Sequence, residues 1–303
     1  MGSLFTTNHT AMQHPNVESY FDPATYTITH VVWDPATKRA AIIDSVMDYE
    51  PHGGKFSNES ANRVVEFVQA KGLTVEWLLE THAHADHVSA APYLQKKLGG
   101  KLGIGEKIIE VQHVFGKVFN AGTEFARDGS QFDVLFKDGD IFTVGSIAAR
   151  VLFTPGHTPA DVSYVVGDAV FVGDTLFMPD YGSARCDFPG GSAETLYKSV
   201  QKVFALPDET RMFMCHDYLP EGRSEYVWET TVGEQKRSNI HLALGTDEAQ
   251  FVHERTERDS MLAMPRLIIP SIQVNMRAGT LPPKEDNGET YLKVPVNGAF
   301  AKK

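Results

Sequence analysis

Short apolar runs alternate along this chain with stretches of helical periodicity. Residues 26–33 and 39–44 are strand-like, and Asp34-Pro35-Ala36-Thr37 between them predicts a hairpin turn. Residues 75–79, 147–153, 169–172 and 211–214 read as further strands. Residues 88–98 read as a helix that stops at Gly99-Gly100, and 196–206 as a second helix. The apolar positions Leu196, Val200, Val203 and Phe204 give that second helix a core-facing stripe. Residues 99–145 are rich in Gly and Phe and carry one clear signal, a turn at Asp138-Gly139-Asp140. The alternation of strands and helices predicts an α/β architecture. Composition shifts near residue 248: 253–259 is charged, 265–272 is apolar and broken by Pro270, and 281–288 is a loop. This predicts a catalytic domain over 1–245 and an extension over 246–303 packed on it.

With 303 residues, 42% of them hydrophobic and 22% charged, the chain has the composition of a globular protein with a large core. No apolar run approaches the roughly 18 residues needed to span a bilayer. The polar stretch 1–19 lacks a basic segment followed by an apolar one, so no secretory signal is expected. Only Cys186 and Cys215 are present, which suits a reducing compartment better than a disulfide framework. The expected location is cytoplasmic, without a membrane partner. A net charge of −11 argues against nucleic acid as a partner.

The chemistry lies at the strand ends. Thr81-His82-Ala83-His84-Ala85-Asp86-His87 follows the run 75–79 and places three imidazoles and a carboxylate in one turn. Asp44 ends the run before it. His157 follows 147–153 in Thr154-Pro155-Gly156-His157-Thr158, and Asp174 follows 169–172. His216 follows 211–214 in Cys215-His216-Asp217-Tyr218. Imidazole and carboxylate donors suit zinc, iron, copper and nickel. One histidine after a strand is commonly structural; the same arrangement repeated at successive strand ends points to a metal.

This order resembles the metallo-β-lactamase superfamily, from about residue 20 to about residue 235. The resemblance implies a four-layer αβ/βα sandwich with two mixed sheets and the metal site along one edge. In that superfamily His82, His84 and His157 would serve one ion, Asp86, His87 and His216 a second, with Asp174 between them. Two zinc ions and hydrolysis are its default. The alanine spacers Ala83 and Ala85, the block Ala184-Arg185-Cys186-Asp187-Phe188 and the run Thr195-Leu196-Tyr197 are similar to the persulfide dioxygenases, near bacterial β-lactamase hydrolase-like proteins. That branch implies one Fe(II) per chain, held by His82, His157 and Asp174 as a 2-His-1-carboxylate triad with open positions. The implied reaction takes glutathione persulfide, O₂ and water to glutathione and sulfite. His84, Asp86, His87 and His216 would then act catalytically by orienting ligands or water. Two other readings stay open: a glyoxalase II-like or other hydrolase of this fold with two zinc ions, and a catalytically silent sensor.

Glutathione carries carboxylates, so its pocket requires local cations. Arg185 is the first candidate, its alternative being an internal pair with Asp187. Tyr218 resembles, by its place after His216, a glutathione-contacting tyrosine of glyoxalase II. Tyr181 is a further candidate, and Arg223, Asn275 and Arg277 are weaker ones. Cys186 could relay a sulfane sulfur, although a buried small hydrophobe is the favoured reading. The oligomeric state is open, a homodimer being one option.

Overall fold

The protein is described by a computed structural model covering residues 14–298 and 300. Of the polar N-terminal stretch, residues 1–13 lie outside the described residues. The first half runs β1 (Asn16–Asp22), β2 (Thr27–Trp33), β3 (Arg39–Ile43), β4 (Val46–Glu50), β5 (Lys55–Ser57), α1 (Glu59–Ala70), β6 (Thr74–Leu79), β7 (Val88–Ser89), α2 (Ala91–Leu98), β8 (Lys101–Gly105), α3 (Ile108–Val118) and β9 (Val134–Phe136). The second half runs β10 (Ile141–Val144), β11 (Ile147–Phe153), β12 (Val162–Val166), β13 (Ala169–Phe171), α4 (Ala193–Phe204), β14 (Arg211–Phe213), β15 (Glu229–Thr231), α5 (Val232–Ser238), α6 (Glu248–Met261) and α7 (Ile268–Asn275).

Two six-stranded sheets form, ordered β1-β2-β3-β6-β8-β9 and β10-β11-β12-β13-β14-β15. Both are mixed. In the first, β1, β2 and β3 pair antiparallel, whereas β3, β6, β8 and β9 run parallel. In the second, only β13 and β14 are parallel. Parallel neighbours need a crossover. For β3 and β6 the crossover includes α1, which buries Ala61, Val64, Val65 and Val68 on one face.

Period-two alternation explains the layers. Val32, Ala41 and Ile43 point between the sheets, against Val151, Tyr164 and Phe171 of the opposite sheet. Their neighbours Val31 and Ile42 point outward, into a cluster with Val64 and Val68 of α1, Leu94 of α2 and Ile108 of α3. The second sheet repeats the scheme: Phe213 faces inward, while Met212 and Met214 pack with Leu196, Val200 and Val203 of α4. Helix, sheet, sheet, helix is the αβ/βα sandwich expected from the sequence. The C-terminal segment joins both outer layers, through Phe251 of α6 on one side and Ile268 and Ile272 of α7 on the other. No helix among the described residues is long and apolar enough to cross a membrane.

Three expectations change. The helix over 88–98 starts at Ala91, because Val88 and Ser89 pair with β4 and Pro92 suits a first helical turn. The 99–145 region contains α3 and three short strands. Pro270 does not break the apolar run 265–272: it lies in the first turn of α7, where its missing N–H interrupts no helical bond.

Candidate metal centre

Every candidate ligand emerges from the C-terminal end of a strand. Asp44 follows β3, His82 to His87 follow β6, His157 follows β11, Asp174 follows β13 and His216 follows β14. Asp44 adopts φ 51°, a left-handed conformation that a short polar side chain tolerates. Its carboxylate accepts from the Thr81 N–H at 2.8 Å and hydroxyl at 2.9 Å, and lies 3.0 Å from His84 Nε2. Gly173, at φ 52°, lets the Asp174 loop close on this turn, since a Cβ there would stand 2.5 Å from Thr81 Oγ1.

One nitrogen of each ring is fixed by the protein. His157 Nδ1 donates to the Arg185 carbonyl at 2.8 Å, and His216 Nδ1 to the Tyr26 carbonyl at 3.2 Å. His82 Nδ1 lies 3.0 Å from Thr81 Oγ1, and His87 Nδ1 lies 3.3 Å from both Thr27 Oγ1 and Asp86. His84 is held by the other nitrogen, with Nε2 also 3.0 Å from Glu80 Oε2. The opposite atoms are left over. His82 Nε2, His84 Nδ1, His87 Nε2, His216 Nε2, Asp86 Oδ2 and Asp174 Oδ1 are buried without a hydrogen-bond partner. His216 Nε2 and Asp86 Oδ2 stand 2.9 Å apart yet are not aligned for a hydrogen bond. Buried polar atoms are normally satisfied, so six orphans facing one another fit a cation.

The separations fit as well. Asp174 Oδ2 lies 3.5 Å from His157 Nε2 and 3.9 Å from His82 Nε2, and Asp174 Oδ1 lies 3.3 Å from His216 Nε2. Donors about 2.0–2.2 Å from a common ion stand roughly 3–4 Å apart. Four groups converge this way among the described residues: His82, His157 and Asp174; His84, Asp86 and His87; Asp174, Cys215 and His216; and Asp44, Glu80 and His84.

The electrostatics agree with those roles. Burial, reinforced by the neighbouring His84, lowers the pKa of His82 and of His87 and keeps both rings in the neutral, ligating form. Burial opposes charge on His84 too, but Asp44 and Glu80 overcome it and hold its pKa well above the usual value. At His216 burial is outweighed by Asp86 and Asp174, and the pKa rises to about 9. The carboxylates around His216 thus call for positive charge, which a metal ion supplies.

The centre opens on one side into a cleft of about 320 Å³, whose walls include Asp86, His157 and Asp174. Tyr26, Phe177, Tyr181, Tyr218 and Phe188 give it an aromatic lining. Tyr218 stacks on His216 at 5.5 Å and lies 5.2 Å from Tyr181. Arg185 reaches the cleft, but its side chain is engaged. Asp187 takes Nε at 2.6 Å and Nη2 at 2.7 Å, and the Ala263 carbonyl takes Nη1 at 2.6 Å. Arg223 is likewise engaged, by Asp217 and Asp180, and does not line the cleft. Arg277 stacks on Phe125 away from it. Cys186 packs in the core beside α4, with its thiol pKa pushed up by burial, so it offers no thiolate.

Sequence reasoning missed two sets of residues. Glu80 and Ser89 complete the bracing of His84, the Ser89 hydroxyl donating to Glu80 at 2.5 Å. Asn275, read as a weak substrate contact, instead clamps the turn that carries His84 and His87. Its amide donates to the carbonyls of His84 and His87, each at 2.8 Å, and accepts from the Ser89 N–H at 2.9 Å. Nothing local in the sequence signals a partner so far along the chain.

Comparison with known proteins adds to this geometry. The profile of the metallo-beta-lactamase superfamily matches residues 28–216. A probable metallo-hydrolase of Burkholderia pseudomallei is 53% identical over 93% of this chain and 99% of its own length. The beta-lactamase hydrolase-like protein of Xylella fastidiosa is 52% identical over 95% of this chain, which spans 66% of that longer protein. Glyoxylase B2 of Dictyostelium discoideum is 49% identical over 88% of this chain and 92% of its own. The mitochondrial persulfide dioxygenase ETHE1 of Bos taurus is 30% identical over 87% of this chain and 88% of its own. Among solved structures, ETHE1 from Myxococcus xanthus superposes with a TM-score of 0.69 at 31% identity, covering 87% of this chain and 99% of that one.

Proposed function

The chain belongs to the metallo-beta-lactamase superfamily, and from that premise we propose that it is a persulfide dioxygenase that oxidises glutathione persulfide with O₂ and water to glutathione and sulfite. The observation that carries this reading is the buried triad His82, His157 and Asp174, two of whose members form the cleft wall. This is the 2-His-1-carboxylate donor set of non-haem iron oxygenases. Fe(II) held there would supply open coordination positions and one-electron chemistry toward O₂. The likeness to the bovine persulfide dioxygenase and the Myxococcus structure supports the same assignment.

The protein's own part is positioning. Thr81 and the Arg185 carbonyl set the rings of His82 and His157 so that each Nε2 faces Asp174. Asp86 and His216, beside Asp174, are placed to orient water or hold a proton at the persulfide. The aromatic wall excludes bulk water from the sulfur end of the substrate. One cofactor ion per chain and a small anionic thiol derivative follow from this reading.

A second reading has its own observation. His84 Nδ1, Asp86 and His87 form a further donor group, which a binuclear zinc hydrolase acting on a glutathione thioester would use. The names of the Burkholderia and Dictyostelium relatives point the same way. An oxygen-electrode assay separates the two. The dioxygenase reading expects O₂ uptake matched by sulfite when glutathione persulfide is added, and no hydrolysis of S-lactoylglutathione. Thioester hydrolysis without O₂ uptake would reverse the assignment.

A further inference from the structure

Four arginines line the cleft, and only two have an acidic partner. Arg185 pairs with Asp187, and the buried Arg255 pairs with Asp259. Arg258 and Arg266 also line the cleft, and neither meets a carboxylate among the described residues. The Arg258 guanidinium lies 3.0 Å from His241 Nε2. Burial, followed by the nearby Arg255 and Arg258, lowers the His241 pKa to about 4, so the ring is neutral at pH 7 and adds no further positive charge beside Arg258. Among the described residues Arg266 donates only to the Ala24 carbonyl, at 3.3 Å. Arg258 and Arg266 are exposed to solvent, and what sets them apart is their place: both stand on the cleft that holds the triad, with no paired carboxylate among the described residues to compete for an anionic ligand.

Their places differ. Arg258 sits on the His241–Ser183 side, since His241 Nδ1 accepts from the Ser183 N–H at 3.0 Å. Arg266 sits on the Ala24 side. Ser183 and Ala24 are themselves cleft residues. Two cations on different parts of one rim suit a ligand with two separated anionic groups. The cleft, about 320 Å³, is at the small end of the roughly 300–1,000 Å³ range of ligand pockets, which suits a tripeptide better than a nucleotide-bearing carrier.

We propose that Arg258 and Arg266 form the substrate's anion site, each taking one of the two carboxylates of a glutathione-type thiol carrier. This deepens the persulfide reading and rests on it for the identity of the reacting sulfur. Arg185 holds the wall in place rather than the ligand.

Calorimetric titration of S-methylglutathione into the metal-loaded protein tests the site without turnover. Arg258→Ala and Arg266→Ala should each weaken binding about tenfold, as for one lost charge-assisted hydrogen bond. The double variant should lose roughly a hundredfold if the sites act independently. Arg258→Lys and Arg266→Lys should restore part of the affinity, keeping charge without the planar fork. A double alanine variant that binds at wild-type affinity would overturn the proposal. So would one that loses coenzyme A, a phosphate-bearing carrier, while keeping S-methylglutathione. If the dioxygenase reading alone is wrong, glutathione binding and its arginine dependence persist without O₂ uptake. If the arginine assignment alone is wrong, the wild type still makes sulfite.

Discussion

Arg185 faces the cleft, yet Asp187 and the Ala263 carbonyl occupy its guanidinium. Arg185→Ala is therefore expected to destabilise the fold by about 1–3 kcal/mol, as for charged hydrogen bonds lost. Turnover should fall equally on glutathione persulfide and on a small persulfide lacking its carboxylates; a loss confined to the glutathione substrate, at unchanged melting temperature, would give Arg185 a binding role. At the triad, His82→Ala, His157→Ala and Asp174→Ala should each abolish metal retention and sulfite formation, as measured by elemental analysis beside the assay. His84→Ala should keep the metal and slow turnover about 10–100-fold, the usual effect of losing a group that braces a ligand. Complete metal loss from that folded variant would make His84 a ligand through its unpaired Nδ1. The candidate ligands are legible in the sequence because each follows an apolar strand. Their partners are not: whether Arg185 meets a substrate or Asp187 is decided by loop geometry, and no motif singles out Glu80, which only the fold buries against His84.

Among the elements, α7 has an unexpected task. It delivers Asn275, 4% exposed, to the turn between β6 and β7. Asn275→Asp keeps the acceptor for the Ser89 N–H but loses both donors to the His84 and His87 carbonyls. We expect metal affinity to fall about tenfold or more with secondary structure retained, which metal titration and circular dichroism together would show. Unchanged affinity would reduce Asn275 to a packing role. The long strands were readable from their apolar runs, and α4 from its stripe. Ser192 moves the start of α4 back to Ala193 by accepting from the Thr195 N–H. Within 99–145 the 11-residue α3 was overlooked although Ile108, Val111 and Phe115 give it a buried apolar face, whereas β9 and β10 were hidden because they are only 3 and 4 residues long. They are made by pairing with neighbours, which periodicity in so short a window does not reveal.

For the whole molecule, the two sheets must stay in register if ligands from both are to meet. Asp34, at the β2–β3 turn, accepts from the Ser146 N–H at 2.8 Å and hydroxyl at 2.7 Å, tying the first sheet to the β10–β11 turn of the second. Burial would raise its pKa, but the bonds from Ser146, Thr37 and Ala36 outweigh this and hold it below the usual carboxylate value. A depressed folded value means stability present above the unfolded pKa, about 3.9, and lost as pH falls below it toward the folded value. Urea unfolding of Asp34→Asn should accordingly show a deficit against wild type at pH 7 that narrows at pH 3; a deficit unchanged by acid would exclude the carboxylate's charge as its cause. The sandwich itself was legible from the order of strands and ligand motifs, whereas the contribution of the C-terminal segment to both outer layers and to the cleft was not.

Metal content tests the central claim most directly. Elemental analysis of protein purified without added metal should find about one iron per chain, the stoichiometry of a single 2-His-1-carboxylate site. About two zinc ions per chain, with His84, Asp86 and His87 engaged beside the triad, would contradict it and return the protein to the hydrolases.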